Sequence, residues 1–361
     1  MHNGITMENK TGAIFGNLFP IGCLIMIAAF IGGCATTTVK PPPPVLPPQV
    51  EAPPAMAPRV DARMFPDFVA IIAQEKDTLS SLASKYLNDP SMDWFIAEFN
   101  GISTLHPGQA IIIPLKPYER GGLNAKGYQT VPVLSYHNFS QFGFNKSTVT
   151  QAAFEEQMEL LKNKGYRVIT MDQLFDFLDF KSQIPKKSVV ITIDDGWRSA
   201  YEIALPILKK YGYPATLFVY TDLIVGSEKT LSWDLIQEMV ENGIDVQCHT
   251  KTHRKLTVMD VRESFKGYFE AIDKELTESA RIIKKRLNRD VKYFAYPYGE
   301  TNHLIIEFLK KHGYRGALTV KRGGNPFFID NYKINRSMVY GEFDLKQFEN
   351  NLTVFNEEGL K

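Results

Sequence analysis

Short apolar segments alternate with stretches of helical periodicity over most of the chain after residue 129. The segments of strand length are 131–135, 167–170, 188–193, 215–220, 245–248, 291–295 and 316–320. Amphipathic helical stretches separate most of them, at 151–164, 200–211, 233–241, 261–287 and 304–312. Repeated strand–helix units predict an α/β fold with parallel strands surrounded by helices. Seven such strands favour a closed barrel, and an open doubly wound sheet remains the alternative because periodicity does not separate the two.

A smaller pattern occupies residues 65–117. It predicts a strand at 68–72, a helix beginning at Asp77 or Thr78, a second helix at 92–99 and a last strand at 110–113. Asp77 and Thr78 are both suited to cap the first helix. The order predicts a small βααβ domain, which a linker at 118–128 joins to the larger domain at 129–361.

The N-terminal part has no pattern typical of a folded core. An apolar run at 13–33 follows Lys10 and predicts a secretory signal peptide over residues 1–33. Residues 34–64 read as a linker, since 41–58 contain nine prolines in eighteen residues. Such a segment favours extended polyproline II and serves as a stiff spacer.

Charge and cysteine content narrow the classes of partner. The net charge of +1 gives no electrostatic reason to expect nucleic acid as a partner. The sequence Ile31-Gly32-Gly33-Cys34 resembles a bacterial lipobox, which implies cleavage before Cys34 and its lipidation as a membrane anchor. The alternative is an uncleaved transmembrane anchor. In both cases the rest of the chain lies outside the cytoplasmic membrane. Cleavage would remove Cys23 and lipidation would consume Cys34, so Cys248 would then have no cysteine partner, and it is predicted to be buried.

Candidate chemistry lies at the ends of predicted strands. Asp194 and Asp195 precede Gly196, and two histidines, His249 and His253, follow about fifty residues later. Adjacent side chains of a strand point to opposite faces, so the two aspartates share a site only if the strand ends there. Three ligands and a spare carboxylate are the parts of a metal-assisted hydrolase. An Asx-turn and structural histidines are the alternative interpretation.

The small domain resembles a LysM module. The resemblance rests on 76–83 (KDTLSSLA), on Asn100 and on Pro107-Gly108-Gln109 before an isoleucine-rich strand. It implies binding to glycans that contain N-acetylglucosamine, notably peptidoglycan, through a loop that includes Asp77 and Thr78. Lys76 replaces the usual glycine of that loop, so a degenerate module kept as a spacer is the alternative.

Residues 129–345 resemble a polysaccharide deacetylase with a NodB-homology domain. The resemblance rests on Thr192-Ile193-Asp194-Asp195-Gly196, on the segment from His249 to His253 and on 210–218 (KYGYPATLF). It implies a distorted (β/α)7 barrel in which Asp194 is the general base. It also implies that Asp195, His249 and His253 bind a divalent metal ion, with zinc first and cobalt or nickel as alternatives.

Other motifs of the family are matched only in part. Residues 294–299 (FAYPYG) resemble the motif whose tyrosine backbone N–H faces the oxyanion, which gives this role to Tyr298. The arginine that many members carry just upstream is absent, and Leu318-Thr319-Val320 stands where a late histidine usually supplies the general acid. Residues 133–138 (VLSYHN) resemble exopolysaccharide deacetylases, in which this histidine comes from the first strand. His137 is therefore the candidate acid, and a structural histidine is the alternative.

The sequence thus predicts a metal-dependent hydrolase that removes N-acetyl groups from an N-acetylglucosamine polymer: peptidoglycan, poly-N-acetylglucosamine or a chitin-like glycan. Trp197, Tyr136 and Tyr296 are candidates for stacking on sugar rings, and core packing is the alternative for at least one of them. The predicted location is the cell envelope, with a lipid anchor at Cys34, on the periplasmic face of the outer membrane if the cell is Gram-negative. The alternatives are an inactive or weak wall-binding lipoprotein and an O-deacetylase on the same scaffold.

Overall fold

The structure is a computed structural model that describes residues 62–119 and 121–358. The predicted signal peptide, Cys34 and the proline-rich segment lie outside these residues. Among the described helices, none combines the length and the apolar character needed to cross a membrane.

The small domain has the predicted order of elements and one additional edge strand. Its elements are β1 (Ala62–Met64), β2 (Phe68–Ile72), α1 (Leu79–Leu87), α2 (Asp93–Asn100) and β3 (Ala110–Pro114). The three strands form an antiparallel sheet in the order β1-β2-β3. Thr78 caps α1: its Oγ1 accepts from the Ser81 N–H at 3.0 Å, and the Ser81 Oγ accepts from the Thr78 N–H. Of the two predicted caps, Thr78 is therefore the one used.

The larger domain is built of parallel strand–helix units. Its strands are β4 (Leu123–Asn124), β5 (Gly127–Tyr136), β6 (Asn138–Ser140), β7 (Thr148–Thr150), β8 (Arg167–Val168), β9 (Ser188–Asp195), β10 (Ala215–Val219), β11 (Ile244–Cys248), β12 (Tyr293–Ala295), β13 (Gly316–Leu318), β14 (Gly324–Pro326), β15 (Ser337–Met338) and β16 (Phe355–Glu357). Its helices are α3 (Gln151–Asn163), α4 (Met171–Leu178), α5 (Leu205–Tyr211), α6 (Trp233–Glu241), α7 (Phe265–Leu287), α8 (His303–Lys311) and α9 (Leu345–Glu349).

The predicted barrel is a curled sheet. The path of paired strands is β13-β12-β11-β10-β9-β5-β14, parallel except for β14. All seven predicted strands are present, but β8 is only two residues long and pairs with the beginning of β9. The open side carries the closing segment, residues 334–338: Ile334 bridges Leu318 of β13, and β15 pairs in parallel with β5. The fold is therefore an α/β half-barrel.

Strand alternation builds a core on each side of the sheet. Val133, Val190 and Phe218 pack inside the curl with α4. Their strand neighbours, such as Leu134 and Ile191, pack outward against the surrounding helices. Cys248 belongs to the outer core and is fully buried, as predicted, with its Sγ 3.0 Å from the Ser279 Oγ.

The small domain packs against the half-barrel near the beginning of β8 and β9. The Arg167 Nη2 donates to the Asp93 Oδ2 at 2.9 Å, and the Lys186 N–H donates to the Glu98 Oε1 at 2.9 Å. These contacts lie at the edge of the sheet opposite the carboxyl ends of the strands, where the candidate site is found.

Candidate metal and acid–base site

The carboxyl ends of β9 and β11, which lie on either side of β10, bring the predicted residues together. Asp194 and Asp195 end β9, and His249 directly follows β11. Strand β9 ends at Asp195, as it must if both aspartates are to share one site: Asp195 has φ +78° and Gly196 has φ +115°. A Cβ at Gly196 would lie 2.5 Å from the Ile224 Cδ1, so only glycine fits there.

Asp195, His249 and His253 form a compact cluster, and their ligand atoms all lie within 4.8 Å of one another. The Asp195 Oδ1 is 3.8 Å from the His249 Nε2 and 3.6 Å from the His253 Nε2. The two histidines lie on the loop that follows β11. Thr250 at φ +72° and His253 at φ +64° turn this loop, and the Thr250 Oγ1 accepts from the His253 N–H at 2.9 Å.

Neighbouring groups orient these side chains for metal binding. The His249 Nδ1 donates to the Ala295 carbonyl at 2.7 Å, which leaves the Nε2 lone pair facing the cluster. The Trp197 indole N–H donates to the Asp195 Oδ2 at 2.9 Å, which leaves Oδ1 toward the histidines. Burial lowers the pKa of both histidines, so both imidazoles are neutral at physiological pH. Two neutral imidazoles and a carboxylate fit a divalent ion such as zinc.

Asp194 is buried in a separate network. The Arg336 Nη1 donates to the Asp194 Oδ1 at 2.7 Å, and the His137 Nε2 lies 3.9 Å from the Asp194 Oδ2. Burial alone would raise the pKa of Asp194, but the Arg336 guanidinium, with further contributions from His249 and His137, outweighs it and lowers the pKa to about 2. Asp194 is therefore an ionised carboxylate beside the cluster, with His137 across from it.

Arg336 is the residue that sequence reasoning missed. Its side chain is fully buried, and its Nε donates to the Thr319 carbonyl at 2.9 Å. It comes from the closing segment, some forty residues after the motif where an arginine was sought and not found. The signal available in the sequence was an arginine between Ile334 and Val339, two apolar residues that the structure buries.

Two of the three proposed sugar-stacking aromatics belong to the core, so that prediction was wrong for them. Tyr136 is fully buried, and its hydroxyl donates to the Gln157 Oε1 at 2.8 Å. Tyr296 is fully buried, and its hydroxyl donates to the Tyr332 carbonyl at 2.9 Å. For Tyr136 the reason is strand alternation: Ser135 faces Asp194, so its neighbour faces the outer core.

Tyr298 and Trp197 lie beside the cluster. Tyr298 has φ +60° and is 54% exposed, and its ring centroid is 4.8 Å from that of His253. Trp197 is half-buried and touches Asp195, so it positions a proposed metal ligand. Asp77 and Thr78 lie at the beginning of α1 in the small domain, where their side chains hydrogen-bond to the local backbone.

The chain is similar to known deacetylases in sequence and in structure. Residues 181–317 match the family model described as polysaccharide deacetylase. The chain is 29% identical over 234 residues to the poly-beta-1,6-N-acetyl-D-glucosamine N-deacetylase of Staphylococcus aureus (strain MRSA252), covering 62% of this chain and 80% of that relative.

Two solved structures extend the similarity. The Streptococcus pyogenes deacetylase PplD in complex with acetate gives a TM-score of 0.56 at 25% identity, covering 63% of this chain and 99% of that one. IcaB from Ammonifex degensii gives 0.55 at 26% identity, covering 63% and 98%. Over residues 181–317 the chain is therefore similar to polysaccharide deacetylases in sequence, and its half-barrel is similar to theirs in structure. The chain is an enzyme of that class, a hydrolase acting on carbon–nitrogen bonds.

Proposed function

We propose that the chain is a metal-dependent N-deacetylase of an N-acetylglucosamine polymer, with β-1,6-linked poly-N-acetylglucosamine as its substrate. The observation that carries this proposal is the cluster of Asp195, His249 and His253 beside an ionised Asp194 and His137. The similarity to the staphylococcal enzyme supports this polymer in particular.

Asp195, His249 and His253 are the residues that would hold the ion, with zinc first and cobalt or nickel as alternatives. When bound, a divalent ion polarises the acetamide carbonyl and lowers the pKa of an attacking water. Asp194 accepts a proton from this water as the general base, and Arg336 keeps its carboxylate ionised and fixed. The Tyr298 backbone N–H donates to the carbonyl oxygen as negative charge develops there.

His137 donates a proton to the departing nitrogen. An amide nitrogen cannot leave as an anion, so a general acid is required on the side of the leaving group. His137 is one-fifth exposed and faces Asp194 at 3.9 Å, a position from which it can contact both the base and the substrate. The products are acetate and a glucosamine unit in the polymer.

Peptidoglycan is the second candidate substrate, because the small domain has the βααβ order of a LysM module. In this proposal Asp77 and Thr78 belong to its glycan-binding loop, Trp197 borders the catalytic cluster, and Cys34 anchors the chain to a membrane of the cell envelope. The anchor and the glycan-binding module would bring the catalytic domain to polymers outside the cytoplasm.

One assay separates the candidate substrates. Acetate release is measured from poly-β-1,6-N-acetylglucosamine, peptidoglycan, chitin oligomers and an O-acetylated xylan, with equal amounts of zinc-loaded protein. We expect the highest kcat/KM on the β-1,6 polymer. A higher value on peptidoglycan would favour the second candidate, release from the xylan alone would favour an O-deacetylase, and release from none would contradict a catalytic role.

A further inference from the structure

A polar groove lies at the carboxyl edge of the half-barrel, beside the metal-binding cluster. Its volume is about 640 Å³, which is within the range of sites that bind small molecules. Most of its lining residues carry a hydrogen-bonding side chain, which suits a hydroxyl-rich ring, among them Thr257, Glu300, Lys321, Asp330, Lys333 and Asn335. The residues proposed for metal binding and acid–base chemistry do not line this groove.

Tyr298 lies between the groove and the cluster: the Lys255 Nζ is 5.3 Å from the centre of the Tyr298 ring and donates to Glu300 of the lining at 2.9 Å. Gly299 and Glu300 line the groove and directly follow Tyr298, whose ring contacts His253. Asn335 lines it on the other side and is followed by Arg336, the partner of Asp194. A polymer whose reacting unit lies at the cluster would therefore place a neighbouring unit in the groove.

The carboxylates of the groove are already paired. The Glu300 Oε1 accepts from the Lys255 Nζ at 2.9 Å, and its Oε2 accepts from the Thr257 Oγ1 at 2.8 Å. The Asp330 Oδ2 lies 3.5 Å from the Lys333 Nζ, and its Oδ1 accepts from the Tyr332 N–H at 2.9 Å. Each carboxylate therefore already has a lysine ammonium group beside it.

Lys321 differs from the other charged side chains of the groove. It is exposed, and among the described residues no carboxylate lies within 4.0 Å of its Nζ. Glu300 is paired with Lys255, and Asp330 is paired with Lys333. Among the charged side chains that line the groove, Lys321 is therefore the one without an opposite charge nearby in the described part of the chain.

We propose that this groove binds the sugar next to the reacting unit, and that Lys321 makes it accept an acetylated neighbour and disfavour a deacetylated one. An N-acetylglucosamine unit is neutral, whereas a glucosamine unit carries an ammonium group that Lys321 repels. The enzyme would then avoid units next to one that it has already deacetylated, and the product would carry spaced rather than consecutive glucosamine units. This inference rests on the proposed function and refines its substrate.

The expected size of the effect follows from Coulomb's law. Two like charges about 6 Å apart at a hydrated surface change affinity by about three- to tenfold, less at high salt. The preference should therefore appear in KM more than in kcat, and it should shrink as ionic strength rises.

The test compares two β-1,6-linked pentamers, one fully acetylated and one carrying a single internal glucosamine. The full-length zinc-loaded protein is assayed on both, and mass-spectrometric sequencing of the products locates each new glucosamine. We expect wild type to prefer the fully acetylated pentamer by about three- to tenfold in kcat/KM and to produce few adjacent glucosamines. In Lys321→Glu this preference should disappear or reverse, whatever the absolute rate on the fully acetylated pentamer.

Arg322→Glu is the matched control, because it makes the same charge change one residue away. The Arg322 guanidinium lies over the Phe343 ring at 5.5 Å and is not part of the groove lining. A preference that is unchanged in Lys321→Glu, or lost equally in Arg322→Glu, would overturn the proposal while leaving the proposed function intact. Failure of wild type to release acetate from either pentamer would instead overturn the proposed function, and this inference with it.

Discussion

Asp194 and Arg336 form an ion pair that is fully removed from solvent. Removing one partner of such a pair leaves an unpaired buried charge, which typically costs about 3–5 kcal/mol. Arg336→Met should therefore destabilise the protein by about that amount and abolish most of the acetate release. Urea unfolding followed by circular dichroism measures the loss of stability.

The double variant Asp194→Asn/Arg336→Met provides the control for this prediction. Because it removes both charges, it should be more stable than Arg336→Met alone while remaining inactive. Equal or additive losses in the double variant would show that the two side chains do not depend on each other in the folded state.

The same pair predicts a pH dependence of stability. The pKa of Asp194 is about 2 in the folded protein against an ordinary value of 3.8. A lowered carboxyl pKa contributes stability that is fully present above pH 3.8 and is lost as the pH falls toward 2. Between pH 5 and 2.5 the free energy of unfolding of wild type should therefore fall more steeply than that of the double variant. Parallel curves would contradict the low pKa of Asp194.

At the residue scale, the sequence predicted the site residues that belong to a recognisable motif, and it missed Arg336, which belongs to none. The spacing of Asp194, Asp195, His249 and His253 was sufficient to place them in one site. Arg336 has no such spacing, because it reaches Asp194 only when the closing segment bridges the two edges of the sheet. The burial of Tyr136 depends on which face of β5 it occupies, and a continuous apolar run does not reveal this.

The closing segment (334–338) depends on one buried side chain. The Asn325 Nδ2 donates to the Val131 carbonyl of β5 at 2.9 Å and to the Asn335 carbonyl at 3.0 Å, and its Oδ1 accepts from the Asn335 N–H at 2.8 Å. Because Asn335 adjoins Arg336, Asn325 fixes the segment that carries the partner of the proposed base. Its replacement by an apolar side chain leaves these buried backbone groups unpaired.

We therefore expect Asn325→Leu to cost about 2–4 kcal/mol of stability and to lower kcat by displacing Arg336. The matched control is Asn242→Leu, because Asn242 is exposed and donates one hydrogen bond to the Glu238 carbonyl. Chemical unfolding and acetate release are measured on both variants at 25 °C. An Asn325→Leu protein with wild-type stability and turnover would show that the segment is held by other contacts.

At the element scale, the long buried strands were predictable because uninterrupted apolar runs are typical of strands covered on both faces. The edges of the sheet were not predictable from the sequence. The strands β8 and β15 are two residues long, and the closing segment pairs through a few residues only. Such short pairings are decided by tertiary contacts, which is why a closed seven-stranded barrel was predicted where the structure has a half-barrel.

The whole molecule combines a small domain and a half-barrel that pack together within one compact unit. The contact of Arg167 with Asp93 places the small domain at the edge of the sheet opposite the catalytic cluster. A polymer held by the small domain would therefore have to extend around the molecule to reach Asp194. This arrangement suits an enzyme that is retained in the envelope while it acts on another part of the glycan network.

Retention in the envelope is predicted to depend on Cys34, which lies outside the described residues. Cys34→Ala should move the protein from the membrane fraction to the soluble fraction, with acetate release per molecule unchanged, because the proposed catalytic residues are all distant in sequence. Cell fractionation and immunoblotting measure the shift, with Cys248→Ala as the control for loss of a buried thiol. Membrane retention of Cys34→Ala would indicate an uncleaved transmembrane anchor.

The assignment of Asp194 as the base and of Asp195 as a metal ligand underlies the proposed mechanism. It is tested most directly by measuring acetate release from poly-β-1,6-N-acetylglucosamine and bound zinc together, in wild type, Asp194→Asn and Asp195→Asn. We expect Asp194→Asn to keep zinc and lose about a thousandfold or more in kcat, and Asp195→Asn to lose both zinc and activity. Loss of zinc in Asp194→Asn, or turnover near the wild-type rate in either variant, would contradict this assignment.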